Sequence, residues 1–112
     1  MKESFKEYLE YLDSDEELEY YIRINATWNE GSFERLKTLL KEMETDYAAD
    51  MYYPRPLISF YVKGVDRIVG VVTNPLFLNN PDAGYTKESY AVMILQRAAE
   101  LRALKERFLS TL

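Results

Sequence analysis

The sequence predicts an α+β domain: a small three-stranded, mainly antiparallel sheet packed by about three helices, in the order α-β-α-β-β-α. Three observations carry this expectation. Residues 33–47 and 86–108 place apolar side chains at helical spacing. Residues 57–63 and 67–73 are rich in Ile, Val, Phe and Tyr around Gly64-Val65-Asp66, and residues 20–28 alternate in polarity. No repeat and no long linker divides the 112 residues, so one domain covers 1–112.

Taken in order, Ser4-Phe5-Lys6-Glu7 sets serine and glutamate at capping-box spacing, and Phe5, Tyr8, Leu9 and Leu12 share one face, predicting a first helix from Ser4 to Leu12. Asp13-Ser14-Asp15-Glu16-Glu17 breaks that pattern. Tyr20, Ile22, Ile24, Ala26 and Trp28 then face one way and Tyr21, Arg23, Asn25 and Thr27 the other, as in a half-buried strand. A helix from Ser14 to about Ile24 is the competing reading. Asn29-Glu30-Gly31-Ser32 supplies a turn and a cap, and Phe33, Leu36, Leu40, Met43 and Tyr47 trace a second helix. Pro54 and Pro56 stop it, because proline removes a donor and biases its predecessor toward extended geometry. Leu57 to Lys63 and Arg67 to Thr73 read as an antiparallel hairpin, ended by Asn74-Pro75. A loop through Gly84 is pinned by Leu76, Phe77 and Leu78, and Thr86 caps a long last helix that buries Tyr90, Ile94, Ala98, Leu101, Leu104 and Phe108. The second and last helices would cover one face of the sheet. The other face, carrying Tyr21, Arg23, Asn25 and Thr27, would stay open.

Composition narrows the function classes. An apolar fraction of 47% with 14% aromatics is enough for a core without disulfides. The chain has no His and no Cys, which removes the side chains most used for proton shuttling, thiol nucleophiles and transition-metal ligation. A non-enzymatic role is therefore expected, with no catalytic residue, cofactor or metal. A net charge of −5 repels nucleic-acid phosphates and anionic lipid but attracts basic protein surfaces. Neither direct nucleic-acid binding nor membrane association is expected. The beginning of the chain shows no signal-peptide pattern, and the apolar stretches Leu57 to Val62 and Ile68 to Val72 fall far short of the roughly 20 residues of a membrane helix, so a cytoplasmic location is expected.

The charge is unevenly placed. Residues 1–20 carry a balance of −6 and residues 30–50 one of −3, whereas residues 87–112 carry +2. Asp13-Ser14-Asp15-Glu16-Glu17-Leu18 begins like a calcium loop but puts Leu18 at the turn glycine and Ile24 at the closing carboxylate. Gly31, Gly64, Gly70 and Gly84 form neither a phosphate loop nor a dinucleotide fingerprint. Ten tyrosines form the second conspicuous set, and tyrosine joins a large contact area to a polar tip, as interfaces favour. Tyr47, Tyr52 and Tyr53 stand between Glu44, Asp46 and Asp50 and the proline break. Asp13, Asp15, Glu16, Glu17 and Glu19, with Glu44, Asp46, Tyr47, Asp50, Tyr52 and Tyr53, are therefore the predicted partner-binding residues. Trp28, on the apolar side of its strand, is assigned to the core.

An acidic, cysteine-free single domain with carboxylates grouped at Asp13 to Glu19 and Glu42 to Asp50 resembles the immunity proteins that bacteria make against secreted nuclease toxins. The resemblance is one of overall profile. It implies an inhibitor that sits on a basic toxin domain, its carboxylates replacing substrate phosphates. A phage-encoded nucleic-acid mimic directed at a host defence nuclease would use the same physics. Different in kind would be a small-molecule-binding or enzymatic domain using the open sheet face around Arg23, Asn25 and Thr27, or a subunit that oligomerises through exposed aromatics.

Overall fold

No residue of the chain pairs into a strand. In a computed structural model, which describes residues 1–112, helix accounts for 71% of the chain and there is no sheet. The α+β expectation is corrected to an all-helical fold. Its elements are α1 (Glu3–Leu12), α2 (Leu18–Asn25), α3 (Glu30–Asp46), α4 (Arg55–Ser59), a π-helical stretch (Phe60–Gly64), α5 (Val65–Val72), α6 (Pro75–Leu78) and α7 (Lys87–Ser110). No helix is long and apolar enough to cross a membrane.

Residues 20–28, read as a strand, belong mostly to α2. Leu18 and Ile22 are its buried residues, one helical turn apart, while Ile24 is 63% exposed, so the alternation at Ile24 reports nothing about burial. The competing helical reading of this segment holds, with its start moved to Leu18. Glu17 supplies the start signal, its carboxylate accepting from the backbone N–H groups of Glu19 and Tyr20. α2 ends at Ala26 with φ 53°, a left-handed cap that glycine usually occupies.

The hairpin of residues 57–73 is one continuous rod made by α4, the π-helical stretch and α5. Pro56 lies in its first turn, where the missing N–H has no intrahelical acceptor to lose. Leu57, Tyr61, Val65, Ile68 and Val72 recur every three or four residues, and all are buried. Burying a Leu, Ile or Val contributes roughly 1.5–3 kcal/mol, whereas the whole strand-preference scale spans about 1 kcal/mol. Burial against α7 therefore outweighs the β-branched composition. Gly64 is no turn: with φ −64° it continues the helix, and a Cβ there would stand 3.0 Å from Phe60 Cδ1. The segment read as a loop holds α6, capped by Asn74, with Phe77 buried and Leu76 exposed.

The remaining helices form where the periodicity places them. α1 starts at Glu3 rather than at a Ser4 cap, and the Ser4 hydroxyl is buried without a partner. Asn29 caps α3 by accepting from Ser32 N–H at 2.8 Å, and Thr86 with Ser89 caps α7. α1 lies along α3, α2 rests on α3 and α5, and α5 packs on α7. Trp28 is in the core as expected, 5.1 Å from the Phe33 ring, although no strand carries it.

Candidate functional site

The corner between α1 and α2 is built around one phenol. The Tyr11 hydroxyl accepts from the backbone N–H of Leu18 at 3.0 Å and shares a hydrogen bond with Ser32 Oγ at 2.9 Å. Ser32 Oγ donates to the Glu16 carbonyl at 2.6 Å, and Ser14 Oγ donates to the Tyr11 carbonyl at 2.8 Å. Burial, partly offset by these hydrogen bonds, pushes the Tyr11 phenol up to about 12, so it stays protonated as a fixed donor and acceptor at neutral pH. The corner is thus tied at both ends to the start of α3.

Asp13, Asp15 and Glu16 project from this pinned corner, exposed and without an ion pair in the chain. Arg23 shares a shallow hollow with Asp13, Asp15 and Tyr20, and Arg35 lines another with Glu16. The other two acids predicted here do internal work. Glu17, 8% exposed, is spent as the α2 cap; burial raises its carboxyl pKa while the two N–H groups oppose that shift. Glu19 makes a two-pronged pair with Arg67 at 2.6 and 2.7 Å, with its side chain only 15% exposed.

The second predicted group lies at the opposite end of α3, about 25 Å away along 17 residues of helix. There Glu44 is held by Arg107 at 2.9 Å and accepts from the Tyr61 hydroxyl at 2.6 Å. Asp50 pairs with Lys2 at 3.2 Å, and the Lys2 ammonium also sits 4.5 Å over the Tyr47 ring and donates to the Asp46 carbonyl. Tyr53 packs on Phe108 at 5.1 Å, while Tyr52 is 79% exposed. The structure therefore does not join the two groups into one face, and only the Asp46 carboxylate and Tyr52 remain free in the second.

Cations of the basic last helix are taken up by acids of the middle of the chain, while among the acids of residues 1–20 only Glu7 and Glu19 are paired, with Arg35 and Arg67. Arg97, Lys105 and Arg107 of α7 pair with Glu30, Asp66 and Glu44. The open sheet face around Arg23, Asn25 and Thr27 does not exist, which removes the small-molecule reading built on it. An open groove of about 670 Å³ lies instead between α3 and α7, lined by Tyr61 and Leu104 and by Lys37, Lys41 and Arg107. Lys37 is paired with Glu34 and Glu100, and Arg107 with Glu44, so the groove is stitched across by its own ion pairs. No group of three or more acidic side chains converges to hold a metal ion. Tyr11, the residue that fixes the corner, is not among the predicted site residues, because nothing local marks a tyrosine whose partners are 7 and 21 residues away.

Compared with known protein families, curated proteins and solved structures, the chain matches none.

Proposed function

We propose that this protein is an acidic protein-binding inhibitor, of the kind that immunity proteins represent, which meets a basic partner at the α1–α2 corner. One observation carries the reading: Asp13, Asp15 and Glu16 stay exposed and free of ion pairs on a corner whose backbone is locked by Tyr11 and Ser32. A pinned corner loses little conformational freedom on binding, so its charges act at small entropic cost. Their field speeds encounter with a cationic surface, and Tyr20 and Tyr21, both half-buried on α2 beside the corner, add contact area that slows release. The chain acts by occupancy rather than by catalysis, and its cellular setting is cytoplasmic. A phage-borne mimic of nucleic acid would present the same corner to a different victim.

The test is paired capture from the native host, using the wild type and a variant carrying Asp13→Lys, Asp15→Lys and Glu16→Lys, followed by mass-spectrometric identification. A basic protein retained by the wild type and lost by the variant supports the proposal. Retention indifferent to the reversal, or no basic protein captured by either, overturns it. The thermal midpoint of the variant serves as control and should hold, because exposed unpaired charges contribute little to folding.

A further inference from the structure

α7 is apolar on two opposite faces. Tyr90, Ile94, Ala98, Leu101 and Phe108 are buried in the core. On the far side Val92 is 56% exposed and Leu95 49%, and Ala99 is exposed beneath them. The stripe runs on to Glu106 and Leu109, and within it Glu88 and Arg102 flank the three aliphatic positions, one at each end. Neither forms an ion pair within the chain, although Arg97, Lys105 and Arg107 of the same helix all do.

The spacing of the stripe is that of a helix–helix seam. Glu88, Val92, Leu95, Ala99 and Arg102 follow one another at intervals of four, three, four and three residues. They span about 21 Å of a helix that at 24 residues runs about 36 Å, most of the molecule's 45 Å length. Leu95 stands midway between Glu88 and Arg102. Two such helices laid antiparallel across a two-fold axis at Leu95 set Leu95 on Leu95 and Val92 on Ala99 of the second copy. Glu88 of each copy then meets Arg102 of the other, twice over. A parallel arrangement would oppose like charges at both ends.

We propose that the outer face of α7 is the docking surface for a second copy of this chain, packed antiparallel and crossing at Leu95. The complementarity is isologous: acid at one end, base at the other, and an aliphatic centre with small Ala99 allowing close approach. A seam of this length belongs to the low end of specific interfaces, about 1,200 Å² in total or less, so the dimer is weak and concentration-dependent. This surface lies on α7, not on the α1–α2 corner, and stands independently of the inhibitor reading.

Sedimentation velocity over a concentration series tests it, using the whole chain and three variants: Leu95→Glu, Glu88→Arg and Arg102→Glu. All three positions are solvent-exposed, and far-UV circular dichroism verifies that each variant keeps its helix. The wild type should show a reversible monomer–dimer equilibrium that Leu95→Glu abolishes. Glu88→Arg or Arg102→Glu alone should weaken it at least about tenfold, by setting like charges face to face. An equimolar mixture of these two variants should recover wild-type association as a heterodimer, because the arginine introduced in one then meets the glutamate introduced in the other. A wild type that stays monomeric, a Leu95→Glu variant that still dimerises, or a mixture no tighter than its components overturns the proposal.

Discussion

Replacing Tyr11 by Phe deletes a single oxygen atom from the joint between α1, α2 and α3. The ring keeps its place beside Tyr8, 6.5 Å away, so apolar burial is nearly unchanged and the effect isolates hydrogen bonding. The lost hydroxyl leaves the buried N–H of Leu18 without an acceptor. Leu18 opens α2, so no carbonyl of that helix can take the bond over. An orphaned buried donor costs roughly 1–3 kcal/mol. Ser32 Oγ keeps the Glu16 carbonyl as its acceptor, so its share of the penalty is small. The expected loss is thus about 2 kcal/mol. With an unfolding entropy near 2.1 cal/mol/K per residue, that lowers the midpoint by roughly 8 °C. Urea and thermal unfolding followed by circular dichroism measure both quantities, with an unchanged urea slope showing that the same surface is exposed. A loss under about 0.5 kcal/mol at constant slope would refute the reasoning, because that is the range of surface substitutions.

Two glycines of the same rod should respond in opposite directions to alanine. Gly64→Ala pushes a Cβ to 3.0 Å from the buried Phe60 ring and should destabilise by about 1–2 kcal/mol. Gly70→Ala meets nothing within 4 Å on an exposed helical position and should stabilise by about 0.5–1 kcal/mol, so equal effects in urea titrations would contradict the packing described. Stability should also fall in alkali. Burial raises the phenol pKa of Tyr8, Tyr11, Tyr61 and Tyr90 above 10.0, to about 12 for Tyr11 and Tyr90. The native state therefore holds protons that the unfolded chain releases near pH 10, and the stabilisation present below that pH is lost as pH rises through the native values. A urea midpoint that stays flat between about pH 9 and pH 11 would count against four protonated, buried phenols.

The helices legible in the sequence are those whose apolar residues fit only one period. Phe33, Leu36, Leu40 and Met43, and Tyr90, Ile94, Ala98 and Leu101, fit no alternating pattern, and both sets are buried on single faces of α3 and α7. Residues 57–73 fit two. Their β-branched composition and Gly64-Val65-Asp66 imitate a hairpin, and that composition masks the helical recurrence of Leu57, Tyr61, Val65, Ile68 and Val72. What decides between the two is a neighbour, α7, whose groove the chain cannot announce locally. Residues 20–28 mislead differently: Ile24 and Ala26 complete an alternation although both are exposed, while the real pair, Leu18 and Ile22, spans one helical turn. Site residues divide along the same line. Charge clusters are visible in sequence, but the pairing of Glu19 with Arg67 crosses 48 residues and that of Glu44 with Arg107 crosses 63. Several carboxylates that look available in the sequence, Glu17, Glu19 and Glu44 among them, are internal fasteners, while Asp13, Asp15, Glu16 and Asp46 stay exposed and unpaired.

The π-helical stretch makes the rod from Arg55 to Val72 a phase-setting device. Where Val65 N–H reaches the Phe60 carbonyl, the chain takes one residue more per turn than an α-helix would, so everything after it is rotated relative to everything before. Tyr61 can stack on Phe108 at 4.2 Å while Val65, Ile68 and Val72 still meet the core. Rewound as an α-helix at unchanged length, residues 60–64 would swing the three aliphatic side chains by about 100°. The hydrogen-bond pattern of five residues, as much as their composition, therefore sets which side chains of the rod turn inward.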